Sequence, residues 1–244
     1  MPSLGVFALA ALLGYFLLPL VLKKETLHLF LSHTTSSEAD WRDKSLKFMT
    51  DRLTFLAPNA VSLFGFVLVF LLIYLFSISA PPLVIFLTAL FAGFTDMLDG
   101  SLARNNNRVT KLGAMLDVSR DLFLALTLGY FLIIQGFLRE EFFWWFFTGW
   151  IFLGFIRMLE FKASGGNIFS SGEDYKFALD RVRLTLAWIG VLLLILIPYS
   201  RTLDIAAETL IIMSISISWL SLLFHSAHLR ILREEKRGYG ETAS

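Results

Sequence analysis

The chain has 244 residues, 56% of them hydrophobic, which is more apolar than ordinary soluble domains and points to a bilayer as its solvent. A formal net charge of only +1 provides no global field for nucleic acid, so no such partner is expected and any electrostatic signal lies in where the charges sit. Without cysteine there is no disulfide framework, Cys-ligated zinc, iron–sulfur cluster or thiol nucleophile, which leaves carboxylates, hydroxyls and histidines for chemistry.

The first apolar run, Leu4 to Leu22, lacks a basic region ahead of it and a small-residue cleavage site, and Lys23 and Lys24 follow it. It reads as an uncleaved transmembrane anchor over residues 1–22. Residues 23–55 begin polar and end in helical apolar spacing, with Leu46, Met49 and Leu53 among Arg42, Lys44, Lys47 and Arg52, the pattern of an amphipathic helix lying in the interface. Six further apolar stretches approach the length of about 20 residues that a span needs: Ala60 to Ala80, Leu83 to Leu102, Leu112 to Phe137, Phe142 to Phe161, Val182 to Tyr199 and Ile205 to His225. They predict a membrane domain over residues 56–229 and a cytoplasmic tail over 230–244. The expected fold is therefore an all-α integral membrane protein, a six-helix transmembrane core preceded by the N-terminal anchor helix and the interfacial amphipathic helix.

Orientation follows from the basic residues of the short connections. Pro81-Pro82 carries no charge, whereas the next connection holds Arg104, Arg108 and Lys111, the Lys162 to Arg181 stretch is basic at both ends, and the tail holds Arg230, Arg233, Lys236 and Arg237. The basic connections are expected in the cytoplasm, with Met1 outside, as in a multi-pass protein of a bacterial inner (cytoplasmic) membrane.

Four aspartates interrupt the apolar helices: Asp96 and Asp99 near the end of one span, Asp117 and Asp121 near the start of the next. An Asp at the centre of a membrane helix costs about 2.5–3.5 kcal/mol on insertion scales, and less towards the interface, so such residues are functional candidates. Residues three or four apart share a helix face, so each helix presents a carboxylate pair. The polar turn Asn105-Asn106-Asn107 joins the helices as antiparallel neighbours and can bring all four carboxylates together just below the cytoplasmic surface. The ordinary alternative is a set of intramembrane ion pairs fastening the helices, but Arg104 and Arg120 alone do not balance four carboxylates. Adjacent ionised carboxylates need positive charge, and hard divalent cations favour oxygen ligands, so the cluster implies bound metal, two ions of Mg2+ or Mn2+. Gly100 lies four after Asp96, Ala103 four after Asp99 and Gly113 four before Asp117, leaving room for something flat or bulky. Arg104 sets a cation at the cytoplasmic mouth, where it can pair with phosphate oxygens.

The pattern Asp96-x-x-Asp99-Gly100-x-x-Ala103-Arg104, eight residues, Gly113, three residues, Asp117, three residues, Asp121 resembles the signature of the CDP-alcohol phosphotransferase (CDP-alcohol phosphatidyltransferase) family at every fixed position. Upstream, Pro58-Asn59-x-x-Ser62 is similar to the Pro-Asn-x-x-Ser/Thr entry to that family's first core helix, with Ala57 where a threonine is common. The resemblance covers Leu56 to Tyr199 in topology, and its specific motifs lie within Pro58 to Asp121. It implies a six-helix core, often a homodimer, that transfers a phosphatidyl group from CDP-diacylglycerol or a related CDP-lipid to a small alcohol acceptor and releases CMP. By the same resemblance Asp96, Asp99 and Asp117 are metal ligands, Asp121 is the general base and shares a metal, and Asn59, Gly100, Ala103, Arg104 and Gly113 form the CDP-binding site. The chemistry agrees: a hydroxyl is a weak nucleophile at neutral pH and gains from a carboxylate base, and metals bridging a diphosphate neutralise charge on the leaving group.

The signature encodes the donor and leaves the acceptor to other residues. Arg157, Lys162, Lys176, Arg181 and Arg183 cluster at the cytoplasmic ends of the two spans after the motif and in the loop between them. Arg157, Lys162, Arg181 and Arg183 are the acceptor-binding candidates, suited to a phosphorylated polyol such as glycerol 3-phosphate or inositol phosphate; choline or ethanolamine would call instead for carboxylates or an aromatic cage. Asn107-Arg108-Val109-Thr110-x-Leu112-Gly113 resembles bacterial phosphatidylglycerophosphate synthases, which commonly carry lysine where Leu122 stands here. Asp180-Arg181-x-Arg183 is similar to the arginine-bearing helix of phosphatidylinositol-phosphate synthases. Glycerol 3-phosphate is the acceptor favoured. The alternative of a different class is a membrane cation transporter using the aspartate cluster, for which no broken-helix pair or repeated half speaks. His225 and His228, three apart near the last boundary, are expected to be solvated or capping groups rather than a metal pair. Trp144, Trp145 and Trp150 are expected to form an interfacial aromatic belt, and Gly165, Gly166 and Gly172 to give loop flexibility.

Overall fold

The computed structural model describes residues 2–21, 36–106, 108, 110–163 and 178–241, and these form helices and no strand. In chain order they are α1 (Pro2–Phe16), α2 (Leu18–Val21), α3 (Ser36–Arg52), α4 (Pro58–Ser77), α5 (Pro82–Asn105), α6 (Lys111–Ile134), α7 (Glu140–Ala163), α8 (Ala178–Ile195), a 3-10 turn (Ile197–Tyr199) and α9 (Thr202–Glu241). The protein is thus an all-α membrane protein. α4, α5, α7 and the Thr202–Glu234 part of α9 are long and apolar enough to cross a bilayer, and Gly5–Val21 is a shorter apolar stretch. α6 and α8 are continuous helices whose apolar sequence is broken by Asp117, Arg120 and Asp121, and by Asp180, Arg181 and Arg183. One expected boundary moves: the span ending at His225 is part of a single helix that continues to Glu241, because nothing between Phe224 and Arg233 breaks it.

The helix ends follow from local chemistry. α4 and α5 each begin on a proline, whose fixed φ and missing N–H suit the first helical position. α6 begins at Thr110, whose hydroxyl accepts from the Gly113 amide at 3.0 Å and so satisfies one of the unpaired donors of the first turn. α6 ends where Gly136 adopts φ +73, and the amides of Gly136 and Phe137 return to the carbonyls of Ile133 and Leu132, the paired closure that a glycine in left-handed conformation permits.

The chain divides into two compact units. The first, here the motif unit, comprises residues 37–139 and 188–210. In it α4 packs against both α5 and α6, with Phe76 stacked on Phe131 at 4.7 Å and Phe66 edge-on to Phe123 at 6.1 Å. Gly93 lets the Trp188 ring approach α5, since a Cβ there would lie 2.6 Å from the indole. α3 and the turn after it are tied to the same unit: Leu53 and Leu56 pack on Val61, Leu98 and Leu102, and Asn105 donates to the Thr50 hydroxyl at 2.8 Å. Phe48 of α3 and Phe55 of the turn after it stay exposed.

The second, the histidine unit, comprises residues 1–36, 140–187 and 211–244. α1 packs on α7 through Phe7, which is fully buried and lies 4.5 Å from the Trp219 ring, 5.7 Å from Trp145 and 6.2 Å from Phe152. Two glycines permit these approaches. A Cβ at Gly149 would lie 2.9 Å from Phe7, and one at Gly14 would lie 2.5 Å from the Leu223 carbonyl oxygen. Arg230 donates to the Phe16 carbonyl at 3.1 Å, placing a cation on the last turn of α1, where the helix dipole favours it.

Candidate active site

The motif unit brings all four aspartates together. Asp96 and Asp99 sit one turn apart on α5, Asp117 and Asp121 one turn apart on α6, and α4 packs beside both. Carboxylate oxygens of Asp96, Asp99 and Asp117 lie within 4.8 Å of one another. Asp99 is buried, whereas the side chains of Asp96, Asp117 and Asp121 are 37%, 46% and 43% exposed. The cluster is therefore walled on one side and open on the other.

Arg120, fully buried, reaches into its middle. Its Nη1 donates to Asp99 Oδ2 at 2.5 Å, its Nη2 to Asp117 Oδ1 at 2.6 Å and to Asp96, and Asp121 lies 3.5 Å away. The intramembrane ion pairs set aside on the sequence are thus present. A single guanidinium contacts every carboxylate, because its planar fork offers several donors at once. Among the contacts described, four carboxylates meet one guanidinium. Two further residues serve this arrangement. Ser62 donates to Asp99 Oδ2 at 2.7 Å, so the serine of the Pro-Asn-x-x-Ser motif orients a carboxylate. Gly65 makes room for the arginine stem, since a Cβ there would lie 2.6 Å from Arg120 Cδ. Arg120 Nε is buried without an acceptor, which costs about 1–3 kcal/mol for a buried donor.

The donor set fits a hard divalent cation: carboxylate oxygens that converge, outnumber the one guanidinium seen to contact them and leave an open side for water or phosphate oxygens. The residues read as CDP contacts fall into two groups. The Arg104 guanidinium lies over Gly100, where a Cβ would be 3.3 Å from Nη1, with half-buried Ala103 on the same helix. Asn59 Oδ1 lies where a Cβ on Gly113 would be 2.9 Å away, and Thr110 donates to the same oxygen at 3.4 Å. A cavity of about 350 Å³ in this unit is lined by Phe76, Ile85, Gln135 and Pro198 among others. It lies at the far end of α4, about 20 Å along the helix from Ser62, and so takes no part in the carboxylate site.

The acceptor candidates lie in the histidine unit. Arg157 and Arg183 are 3.4 Å and 3.6 Å from Asp180, so they face a carboxylate of their own. Arg183 is 2% exposed, and its Nε and Nη1 have no hydrogen-bond acceptor. Lys162 is exposed on α7 and Arg181 half-buried on α8. Lys176 and Gly165, Gly166 and Gly172 fall outside the described residues.

The histidines correct the sequence reading. His225 and His228 are buried, not solvated. His225 bonds Glu160 Oε2 at 2.6 Å through Nδ1 and Asp180 Oδ2 at 3.1 Å through Nε2, and His228 Nδ1 bonds Glu160 Oε1 at 3.0 Å. Ser221 donates to Asp180 as well. Buried carboxylates need such partners, but Glu160 and Asp180 stand 65 and 45 positions from His225, so spacing gave no hint of them. The tryptophans also divide. Trp144 is 44% exposed and donates to Glu140 at 2.9 Å, as a belt residue would, while Trp145 lies against Phe7 and Trp219.

Residues 55–225, well over half of the chain, match the family model described as CDP-alcohol phosphatidyltransferase. No curated protein and no solved structure matches the chain.

Proposed function

The chain belongs to the CDP-alcohol phosphatidyltransferase family, whose members are membrane transferases that use divalent metals and release CMP, and from that premise we propose how its residues divide the reaction. The donor is CDP-diacylglycerol and the acceptor a small phosphorylated polyol, with glycerol 3-phosphate favoured. Asp96, Asp99, Asp117 and Asp121 hold two Mg2+ or Mn2+ ions, which when bound supply Lewis-acid neutralisation of the diphosphate. The acceptor hydroxyl oxygen bonds to the phosphorus bearing diacylglycerol, the bond from that phosphorus to the CMP oxygen breaks, and the hydroxyl proton passes to Asp121 as general base. Asn59, Gly100, Ala103, Arg104 and Gly113 bind the CDP part, the glycines by leaving space beneath Arg104 and beside Asn59. The observation that carries this reading is the convergence of three carboxylates within 4.8 Å beside a fourth.

Arg157, Lys162, Arg181 and Arg183 bind the acceptor phosphate. The support is the pair of Arg183 N–H groups that lack an acceptor, since charge-assisted bonds to phosphate satisfy such donors. The test is CMP release from CDP-diacylglycerol by the purified protein across glycerol 3-phosphate, inositol phosphate, glycerol, ethanolamine and choline. Highest turnover is expected with glycerol 3-phosphate; a preference for an amino alcohol would end the phosphate reading and leave the donor chemistry standing.

We further propose a homodimer in a bacterial inner membrane, with the site at the cytoplasmic face and Met1 outside. Residues 1–22 serve as anchor, 23–55 as interfacial segment, 56–229 as catalytic domain and 230–244 as tail. The alternation of basic and uncharged connections supports this orientation. Labels at Met1 and after Ser244 should be accessible from opposite sides; accessibility of both from one side would remove it.

A further inference from the structure

We propose that Arg120 is a built-in counter-ion that occupies the carboxylate cluster and competes with the divalent cation for it. This rests on the reading of the aspartates as metal ligands and concerns a residue outside the signature that carries that reading. Arg120 is fully buried and its guanidinium contacts Asp96, Asp99, Asp117 and Asp121. Those contacts include oxygens of the same three aspartates that converge within 4.8 Å. A cation binding there meets donors already placed on its ligands. Two positive groups at such range repel strongly in a low-dielectric site, so cation uptake requires the guanidinium to give up part of its bonds.

The surroundings suit an exchangeable occupant. Gly65 leaves space along the arginine stem, and the unpaired Nε leaves the guanidinium incompletely satisfied where it stands. The carboxylates outnumber the one guanidinium seen to contact them, and oxygen ligands of this kind attract a divalent ion. Its affinity becomes the difference between two cations, one tethered and one free, and the tethered one keeps four carboxylates from repelling each other when the free one is scarce.

The test uses the full-length protein in detergent or nanodiscs, stripped of metal, with Mn2+ as probe. Binding is read from the electron paramagnetic resonance signal of free Mn2+ and folding from thermal unfolding. Arg120→Met removes the charge and keeps an apolar stem. It should bind Mn2+ at least about tenfold more tightly, which is about 1.4 kcal/mol, and unfold at a lower temperature than wild type without metal, the gap closing as Mn2+ is added. Gly65→Ala alters no charge but pushes on the stem, and should tighten Mn2+ binding in the same direction by less. Where Arg120→Met yields no folded protein, Gly65→Ala decides alone. Equal or weaker Mn2+ binding by the folded variants, with wild type binding normally, would overturn the competition and spare the metal site. No Mn2+ binding by any of the three proteins would remove the metal reading itself, and the competition with it.

Discussion

In the motif unit four aspartates share one arginine, and three of them keep side chains more than a third exposed; in the histidine unit Glu160 and Asp180, each about 5% exposed, share Arg157, Arg183, His225 and His228. Both clusters put carboxylates inside apolar helices, where each must find positive charge or hydrogen bonds. The second finds them within the chain: two carboxylates against two arginines, with the histidine rings filling the remaining oxygens. In the first, one guanidinium serves four carboxylates among the contacts described, and three of those carboxylates are partly exposed. Such a difference separates a cluster that fastens helices, with little charge to offer a ligand, from one that calls for a cation from outside. It also shapes the acceptor reading, because a phosphate approaching Arg157 and Arg183 meets arginines that already face Asp180, and gains most from the donors of Arg183 that lack acceptors.

Substitutions can break this contrast at either end. The largest effect belongs to the open cluster: Asp96→Asn, Asp99→Asn, Asp117→Asn and Asp121→Asn should each reduce divalent-dependent CMP release to background while the protein remains folded and monodisperse by size exclusion. If two or more kept near-normal turnover, the cluster would be no more catalytic than its neighbour. In the balanced cluster Asp180→Ala leaves Arg183 buried without its carboxylate, and breaking a buried pair from one side costs about 3–5 kcal/mol. Thermal unfolding should show that loss with the Mg2+ dependence of residual activity unchanged. Acceptor recognition sharpens the comparison further. Arg157→Ala or Arg183→Ala should raise the acceptor KM, or lower its kcat/KM, by roughly ten- to a hundredfold for at least one of them, as expected from losing a charge-assisted bond of about 1.5–3 kcal/mol. The KM for the CDP-lipid should move little; normal use of a phosphorylated acceptor by both would leave Asp180 and its arginines a purely structural group. The smallest effect is local. Thr110→Ala removes the cap of α6 and should cost about 1 kcal/mol, read as a lower unfolding temperature.

The difference between the clusters also explains what the sequence disclosed. Asp96 with Asp99 and Asp117 with Asp121 were legible because helical periodicity puts residues three or four apart on one face, and because acidic residues in apolar runs are costly enough to stand out. The expected span starts, Ala60 and Leu83, fall within two residues of the observed helix starts at Pro58 and Pro82, where the ring's fixed φ suits the first helical position. Arg120 was not read as a partner of all four aspartates, since a basic residue beside an acidic one is ordinary in sequence and only the packing of α4, α5 and α6 shows its reach. Gly65 carries no signal of its own among the glycines of apolar helices. The histidine cluster was hidden for a different reason: its carboxylates come from α7 and α8 while its imidazoles come from α9, so no local spacing records the contact.

The most direct measurement is CMP release from CDP-diacylglycerol and glycerol 3-phosphate by the purified full-length protein, titrated with Mg2+ from a metal-stripped state. Release should be absent in chelator, rise saturably with Mg2+ in wild type and stay at background at every Mg2+ concentration in Asp117→Asn. Release that proceeds equally in chelator, or that Asp117→Asn supports as wild type does, would contradict the assignment of the open aspartate cluster as the metal-dependent active site.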